Sequence, residues 1–369
     1  MSAIEIRELI VPTHPGAPGW DDLVAYAELS NLVIMDEIGS PDLDERPEQV
    51  LARLLNSYSN SKVFGAYRDH RLVGFAEIEG ERDQEVAFVW AGVAAEERGS
   101  GLGSRLAAMI TEAGYAIGTR TIQTGSYHAD LDKGPRIASP AGPGSIPADA
   151  PTTRFLQHRG FTLGQVELMS ALPLPVPDEL LDRLDLDARP ADDYELITWA
   201  GPTPEALVDG YANLRTVVTT AVPSGELTEE EQVWDADRVR DRDRRNAEAG
   251  QITTTTVARH RPSRDLVAFT TLTRPAVGDG RAVMQGYTMV LPDHRGHNLG
   301  VRIKISNLRQ LGTVDHGAAR VITGNAGENE AMLRINRALG FRPFVVAGWW
   351  EKKLPDPEQA DPEQADQPS

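Results

Sequence analysis

Cysteine is absent from the 369 residues. Disulfides, thiol nucleophiles and thiolate metal sites are therefore excluded, and any covalent chemistry uses other groups. Basic residues are also few: 37 Lys and Arg stand against 55 Asp and Glu, for a formal net charge of −18. Phosphate polymers and anionic lipid bind clustered cations, so no nucleic acid and no membrane is expected as a partner. A small molecule is. No run approaches the roughly 20 consecutive apolar residues of a membrane helix, and no basic-then-apolar segment opens the chain, so a cytoplasmic protein is expected. Three chemical signatures are missing as well. There is no GxxxxGK for a nucleoside triphosphate, no GxGxxG dinucleotide fingerprint and no GxSxG nucleophile elbow, which sets aside kinase, dehydrogenase and serine-hydrolase readings of those types.

What is present is ordinary globular material, 40% hydrophobic and 25% charged. At about 100 to 200 residues per domain the length allows two. The segment from Pro355 to Ser369 reads PDPEQADPEQADQPS and carries five acids, Asp356, Glu358, Asp361, Glu363 and Asp366, with no base. It has no aromatic or β-branched residue to offset the entropy of ordering, so residues 356–369 read as a disordered acidic tail.

The body is internally repeated. Val93 to Gly103 reads VAAEERGSGLG and Val290 to Gly300 reads VLPDHRGHNLG, each after an apolar run and before a helical one. Downstream, Arg159-Gly160-Phe161 is echoed by Leu339-Gly340-Phe341. Upstream, strand-like runs Val63 to Tyr67 and Arg71 to Ile78 match Thr253 to Ala258 and Leu266 to Leu272. Each copy opens with a strand (Ile4 to Val11; Tyr194 to Trp199), a helical region (Asp21 to Ile38; Pro204 to Val218) and a charged helix (Pro47 to Tyr58; Thr228 to Ala249). Helices Gly103 to Ile117 and Gly300 to Leu311 follow the turns, supported by apolar residues at steps of three and four. The expected fold class is α/β with a mixed sheet, in two domains, 1–178 and 179–355. The proline-rich stretch beginning at Pro173 is the linker. From turn Arg to Phe the copies span 63 and 46 residues, and the Gly/Pro-rich stretch 126–152 takes up the difference as a long loop.

A strand that ends in a glycine-rich turn opening a helix offers unpaired amide N–H groups and a helix dipole to an anion. Glycine permits positive φ and close approach, and the arginine adds a charge-assisted donor. Between Asp293 and Asp315 lie Arg295, Arg302, Lys304 and Arg309 and no acid, which marks a local anion site. His294, His297 and Asp293 sit on the turn without an HExxH pattern, so no metal is expected.

These features together resemble the GNAT acyltransferases. The resemblance covers both halves, in a layout similar to mycothiol synthase, and the second half, with Asn325, Asn329, Met332, Asn336 and Leu339-Gly340-Phe341, resembles actinobacterial GNAT proteins. It implies two tandem GNAT folds and acetyl-CoA as co-substrate. The coenzyme pyrophosphate would sit on Arg98, Gly99, Ser100, Gly101, Leu102 and Gly103 and on Arg295, Gly296, His297, Asn298, Leu299 and Gly300. The backbone of Val93 and Val290 would pair with the pantetheine arm between two splayed strands, with Asn325 and Asn329 assisting in the second half. Each copy departs from the family pattern. Asn298 replaces the first glycine of its turn, and the usual tyrosine acid falls on Leu156 and Asn336.

The implied activity is transfer of an acetyl group to the primary amine of a small molecule, with the main-chain N–H beside Val290 as oxyanion donor. Catalysis is expected in the second half, which has the shorter connection, the asparagine-bearing helix and the more basic turn. Tyr287 offers a proton route, and Asp235 and Asp237 could attract a cationic acceptor. Aminoglycosides, amino acids, polyamines and a mycothiol precursor all remain open as acceptors, in a monomer or homodimer. The alternative is a non-catalytic coenzyme A-binding or scaffold protein.

Overall fold

The strand segments LVGFAEI (residues 72–78) and LVAFTTL (266–272) are almost continuously apolar or small instead of alternating, the pattern of strands covered on both faces. Helices supply that cover. The computed structural model describes residues 3–129, 133–188, 193–276, 281–314 and 317–355, so the acidic tail from 356 onward lies outside the described residues.

The first half runs β1 (Glu5–Glu8), α1 (Trp20–Ile38), α2 (Pro47–Leu54), β2 (Ser59–Arg68), β3 (Arg71–Glu81), β4 (Val86–Val93) and α3 (Leu102–Ala116). It continues through β5 (Thr121–His128), β6 (Arg136–Ala138), β7 (Ser145–Pro147), α4 (Pro151–His158) and β8 (Thr162–Pro173). After α5 (Asp178–Ala188), the second half repeats the order as β9 (Tyr194–Ala200), α6 (Val208–Ala221), α7 (Ala236–Glu248), β10 (Gln251–His260), β11 (Leu266–Pro275) and β12 (Val283–Val290). It closes with α8 (Leu299–Gly312), β13 (Arg320–Ala326), α9 (Glu330–Leu339) and β14 (Arg342–Lys353). No helix among the described residues is long and apolar enough to cross a membrane.

Twelve strands form one sheet in the order β1-β2-β3-β4-β5-β14-β8-β13-β12-β11-β10-β9. The last strand of each half is exchanged. β14 lies between β5 and β8, antiparallel to both, while β8 lies between β14 and β13. Only β4 with β5 and β12 with β13 pair in parallel. Helices α1, α2, α6 and α7 share one face, where Tyr26 of α1 packs edge-on against Phe75. On the other face lies α3, whose Leu102 and Leu106 crowd Gly74. Arg46, ahead of α2, donates to the carbonyls of Ala249 and Gly250 at 2.7 and 3.1 Å, and Arg238 of α7 pairs with Glu81, so the halves are tied across the helical layer too.

Three segments differ from the sequence reading. Within 126–152, β5 extends to His128 and β6 pairs with β7 as a small hairpin, because Ile146 is fully buried against Trp350 of the exchanged strand. The helix expected from Thr228 starts only at Ala236, where Asp235 caps it by accepting from the Arg238 N–H at 2.8 Å. The residues before it are taken by the first half and the exchanged strand beside it: the Glu230 carboxylate accepts from the Val86 N–H at 2.8 Å, and Glu351 of β14 accepts from the Thr228 N–H at 2.6 Å. Residues 178–188, directly after the proline-rich linker and given no element in the sequence reading, form α5, which Arg309 of α8 anchors through Asp182 and Asp185 at 2.7 and 2.9 Å.

Trp350 is 1% exposed on β14 and donates to Ser126 Oγ at 2.9 Å. Trp350→Ala should cost about 3–5 kcal/mol. Since its strand is bonded into both halves, wild type and variant should each unfold in a single calorimetric transition; two resolved transitions would refute this coupling.

Candidate functional site

In both halves the turn valine ends a strand that leaves its parallel neighbour. β4 pairs with β5 only from Val86 to Val89, and β12 with β13 only at Val283 and Met284. On the other side, Ala94 N–H donates to Val73 at 2.9 Å and Leu291 N–H to Val267 at 2.9 Å. Val93 and Val290 face Gly74 and Ala268 in these ladders, so each valine is the non-hydrogen-bonded member of its pair and turns its own N–H and C=O into the gap. There the arginine Nε of the following turn approaches the valine carbonyl, Arg98 at 3.2 Å and Arg295 at 3.3 Å.

The turns match in backbone. Gly99 and Gly101 have φ of 77° and 84°, while Gly296 and Asn298 have 85° and 56°. Asparagine holds the left-handed helix-start conformation that glycine holds in the first copy, and its side-chain amide donates to the Ala188 carbonyl at 2.9 Å. A Cβ placed on Gly99, Gly101 or Gly296 would meet no atom within 4 Å, so the amides above the helix N-termini are open to a ligand. Leu102 and Leu299 are each 1% exposed and fix the first turn of their helices. Ser100 Oγ donates to the Glu97 carbonyl at 2.6 Å, and His297 stacks beside Tyr194 at 5.3 Å. This open, amide-lined turn suits a phosphate or diphosphate anion.

The halves differ where the chemistry would occur. β4 runs in unbroken register with β3. β12 carries a bulge: Thr288 faces Thr270 and Gln285 faces Leu272, so Gly286 and Tyr287 together oppose Thr271. Gly286 is needed there because a Cβ would lie 2.3 Å from Thr271 Oγ1. The extra residue reverses the alternation. Gln285 points toward α8, whereas Tyr287 faces Arg215 of α6 and is 44% exposed. Gln285 also donates to the Thr271 carbonyl at 2.6 Å, satisfying the backbone opposite the bulge.

Behind the gap lies a polar network without a carboxylate. Lys304 is 2% exposed, and its Nζ donates to Asn336 Oδ1 at 3.0 Å and Gln285 Oε1 at 3.2 Å. Asn336 in turn donates to Asn325 at 2.5 Å. Burial pushes the Lys304 ammonium down to about 7. The corresponding positions of the first half are the apolar Ala107 and Leu156, and the Phe155 ring lies 3.5 Å from where a Gly103 side chain would begin. Gly300 meets Ile335 instead. The turn arginines differ as well. Arg98 pairs with Asp36 at 2.8 Å, while no carboxylate of the described residues pairs with Arg295.

Residues 28–130 match the model of the acetyltransferase (GNAT) family. No curated protein matches the chain in sequence. In structure it is similar to a tandem GNAT protein from the clavulanic acid biosynthesis pathway, at 21% identity and TM-score 0.72 over 96% of this chain and 100% of that one. The chain has the tandem GNAT fold. A GCN5-related N-acetyltransferase from Sphaerobacter thermophilus is similar at 15% identity and TM-score 0.58, over 95% of each chain. A putative acetyltransferase from Pyrococcus horikoshii is similar at 13% identity and TM-score 0.51, over 96% of this chain and 91% of that one. The GNAT match and fold support acyl transfer as the general chemistry.

Within the GNAT fold, Arg295 returns to the Val290 carbonyl, and Asn325 of β13 binds Asn336. Asn329 opens α9, its side chain accepting from the Met332 N–H at 3.2 Å. Asp235 likewise caps α7, and Asp237 is a surface partner of Arg240 at 3.0 Å, so neither lines the gap. Sequence reasoning counted Lys304 among the cations of the anion site and missed its burial. The signal was there in its flanks, since Ile303 and Ile305 on both sides are also buried.

A lysine held lower in the folded than in the unfolded chain is carried neutral by the fold above about pH 7, while the unfolded chain keeps its proton to about 10.4. The unfolded state then binds more protons across that window, and Lys304 makes stability rise with pH there. Lys304→Met should flatten the rise. Melting temperatures of both proteins from pH 6 to 10 check it, and parallel profiles would count against the assignment.

Proposed function

We propose that the chain is an acetyl-CoA-dependent N-acetyltransferase that acts on the primary amine of a small molecule, with the reaction in the second half. The observation that carries the reading is the bulged, widely splayed β12, which turns the Val290 N–H into a gap ending at an open anion turn. The first half has the turn but no bulge, and its arginine is already ion-paired. It serves as a structural or coenzyme-holding partner.

The turn amides and Arg295 hold the coenzyme diphosphate, and the Val290 backbone orients the arm that enters the gap. In the reaction the amine nitrogen bonds to the thioester carbonyl carbon, the carbon–sulfur bond breaks, the amine gives up a proton and the sulfur takes one. A main-chain N–H beside Val290 donates to the carbonyl oxygen as its charge develops. Asn336 stands where GNAT enzymes usually place a tyrosine acid, and Lys304, hydrogen-bonded to it, supplies the proton for the sulfur instead. An ammonium that titrates near 7 is a competent acid at neutral pH.

Charge-assisted contacts to an anion contribute roughly 1.5–3 kcal/mol each, so Arg295→Ala should weaken acetyl-CoA binding about tenfold or more. Arg98→Ala, which breaks a half-exposed pair with Asp36, should leave turnover nearly intact. Thiol release from acetyl-CoA with a panel of amines reads both; loss of transfer in Arg98→Ala alone would move the active site to the first half. The same assay across pH tests the lysine. Wild type should lose rate above neutrality as Lys304 deprotonates, and Lys304→Met should be slower and lack that limb. Unchanged rate and profile would remove Lys304 from the reaction.

A further inference from the structure

The two halves place the same pair of aromatic rings at the root of the helical layer. Tyr26 meets Phe75 edge-on at 4.9 Å, and Tyr211 meets Phe269 edge-on at 5.5 Å. Around these rings the charges diverge. In the first half the Tyr26 hydroxyl donates to Glu77, whose carboxylate is paired with Arg53. In the second the Tyr211 hydroxyl accepts from Arg242 at 3.0 Å, and, against its burial, the nearby charges of Arg242 and Arg215 pull the phenol below its ordinary value. Arg242 is answered by Asp243 at 2.7 Å. Arg215 is answered by no carboxylate of the described residues.

One helical turn after each tyrosine, the first half has Ser30, which accepts from Trp90 Nε1 at 2.8 Å and closes the space before Val93. The second half has Arg215 at that step. It lies 4.2 Å from the centre of the Trp234 ring and 5.8 Å from that of Tyr287, the exposed residue of the β12 bulge. Its Nε is buried and without a partner. Burial, and then the neighbouring Arg242, pull the guanidinium below its ordinary value, yet an arginine stays charged at any physiological pH. In a protein of net charge −18, a partly buried cation with no acid of its own is set for an external anion.

We infer that Arg215, backed by Arg242 and oriented by Trp234, binds a carboxylate on the acceptor, so that the amine to be acetylated belongs to an amino acid or a close analogue. The inference rests on the acetyltransferase reading only for the amine; the carboxylate site stands on the cluster itself. A guanidinium lying on an indole can still present its Nη groups to the oxygens of a planar carboxylate, and the phosphonate arm of the test separates that anion from a phosphate.

The test uses the full chain as wild type, Arg215→Met and Arg215→Lys, with melting curves to establish that each is folded. Acceptors of one skeleton are compared as amino acid, amino amide and aminophosphonate. Wild type should favour the acid over the amide about tenfold or more in kcat/KM. The preference should vanish in Arg215→Met, chiefly through KM, and return in part in Arg215→Lys. Calorimetric binding of the N-acetylated amino acids and their amides needs no turnover. Arg215-dependent binding of the acids without any acetylation would sink the acetyltransferase reading and keep the carboxylate site. Equal treatment of acid and amide by wild type, a stronger preference for the phosphonate, or an unaltered preference in Arg215→Met would overturn the inference.

Discussion

The exchange of β8 and β14 is the constraint on which the rest depends. Neither strand completes its own half: β8 pairs with β13 and β14 with β5, each in the other half, and the two pair with each other. An isolated half would present an unpaired edge at the centre of its sheet, with the row of free N–H and C=O groups that invites aggregation. Sharing the strands removes both edges at once. It also fixes the angle between the halves, so α2 and α7 meet on one face and the Arg46 and Arg238 contacts become possible. A duplicated chain thereby becomes a single sheet with two inequivalent gaps.

One inserted residue adds to the inequivalence. Inserting a bulge at Gly286 changes which way the next side chains point, because a strand alternates with period two. Without it, Gln285 would share the face of Tyr287, as Phe88 shares that of Trp90 in the regular β4; with it, Gln285 turns to Lys304 while Tyr287 stands beside Arg215 and Met289 joins the core under α6. The polar groups then segregate. Lys304, Asn336 and Gln285 lie on the α8 side of the gap, and Arg215, Tyr211 and Arg242 on the α6 side. In the first half regular β4 keeps Phe88 and Trp90 among the aromatic rings of Tyr127 and Trp349, which fill the equivalent volume.

What could be read from the chain was local. The turns at Arg98 and Arg295 were legible because glycine at positive φ, a helix start and a cation must be adjacent in sequence. The bounds of α1, α3 and α8 came within a residue of the reading, since apolar periodicity is a property of the segment itself. The strand exchange was not legible, as two strands of similar composition give no sign of which copy each will join. The 228–235 segment misled for a related reason: its acids suit an exposed helix, but the edge of β4 and Glu351 claim it. The family model matches only residues 28–130, the half with the intact glycine turn, whereas the backbone shows that Asn298 keeps the same conformation.

Lys304 and Arg215 illustrate how the choice between lysine and arginine divides the work. A lysine withdrawn from water can shed its proton, so the fold tolerates Lys304 as a neutral amine on amide oxygens alone, with no carboxylate beside it. That freedom is what an acid or base in a reaction needs. Arginine cannot follow this route at any accessible pH, and an aromatic face relieves only part of the cost of desolvating it. The remainder must come from an anion. Because Asp243 is already held by Arg242 and by the Thr203 N–H at 2.7 Å, that anion is not supplied from within the cluster. The gap is thus flanked by one group able to move a proton and one able only to hold a charge, on opposite faces of the same bulged strand.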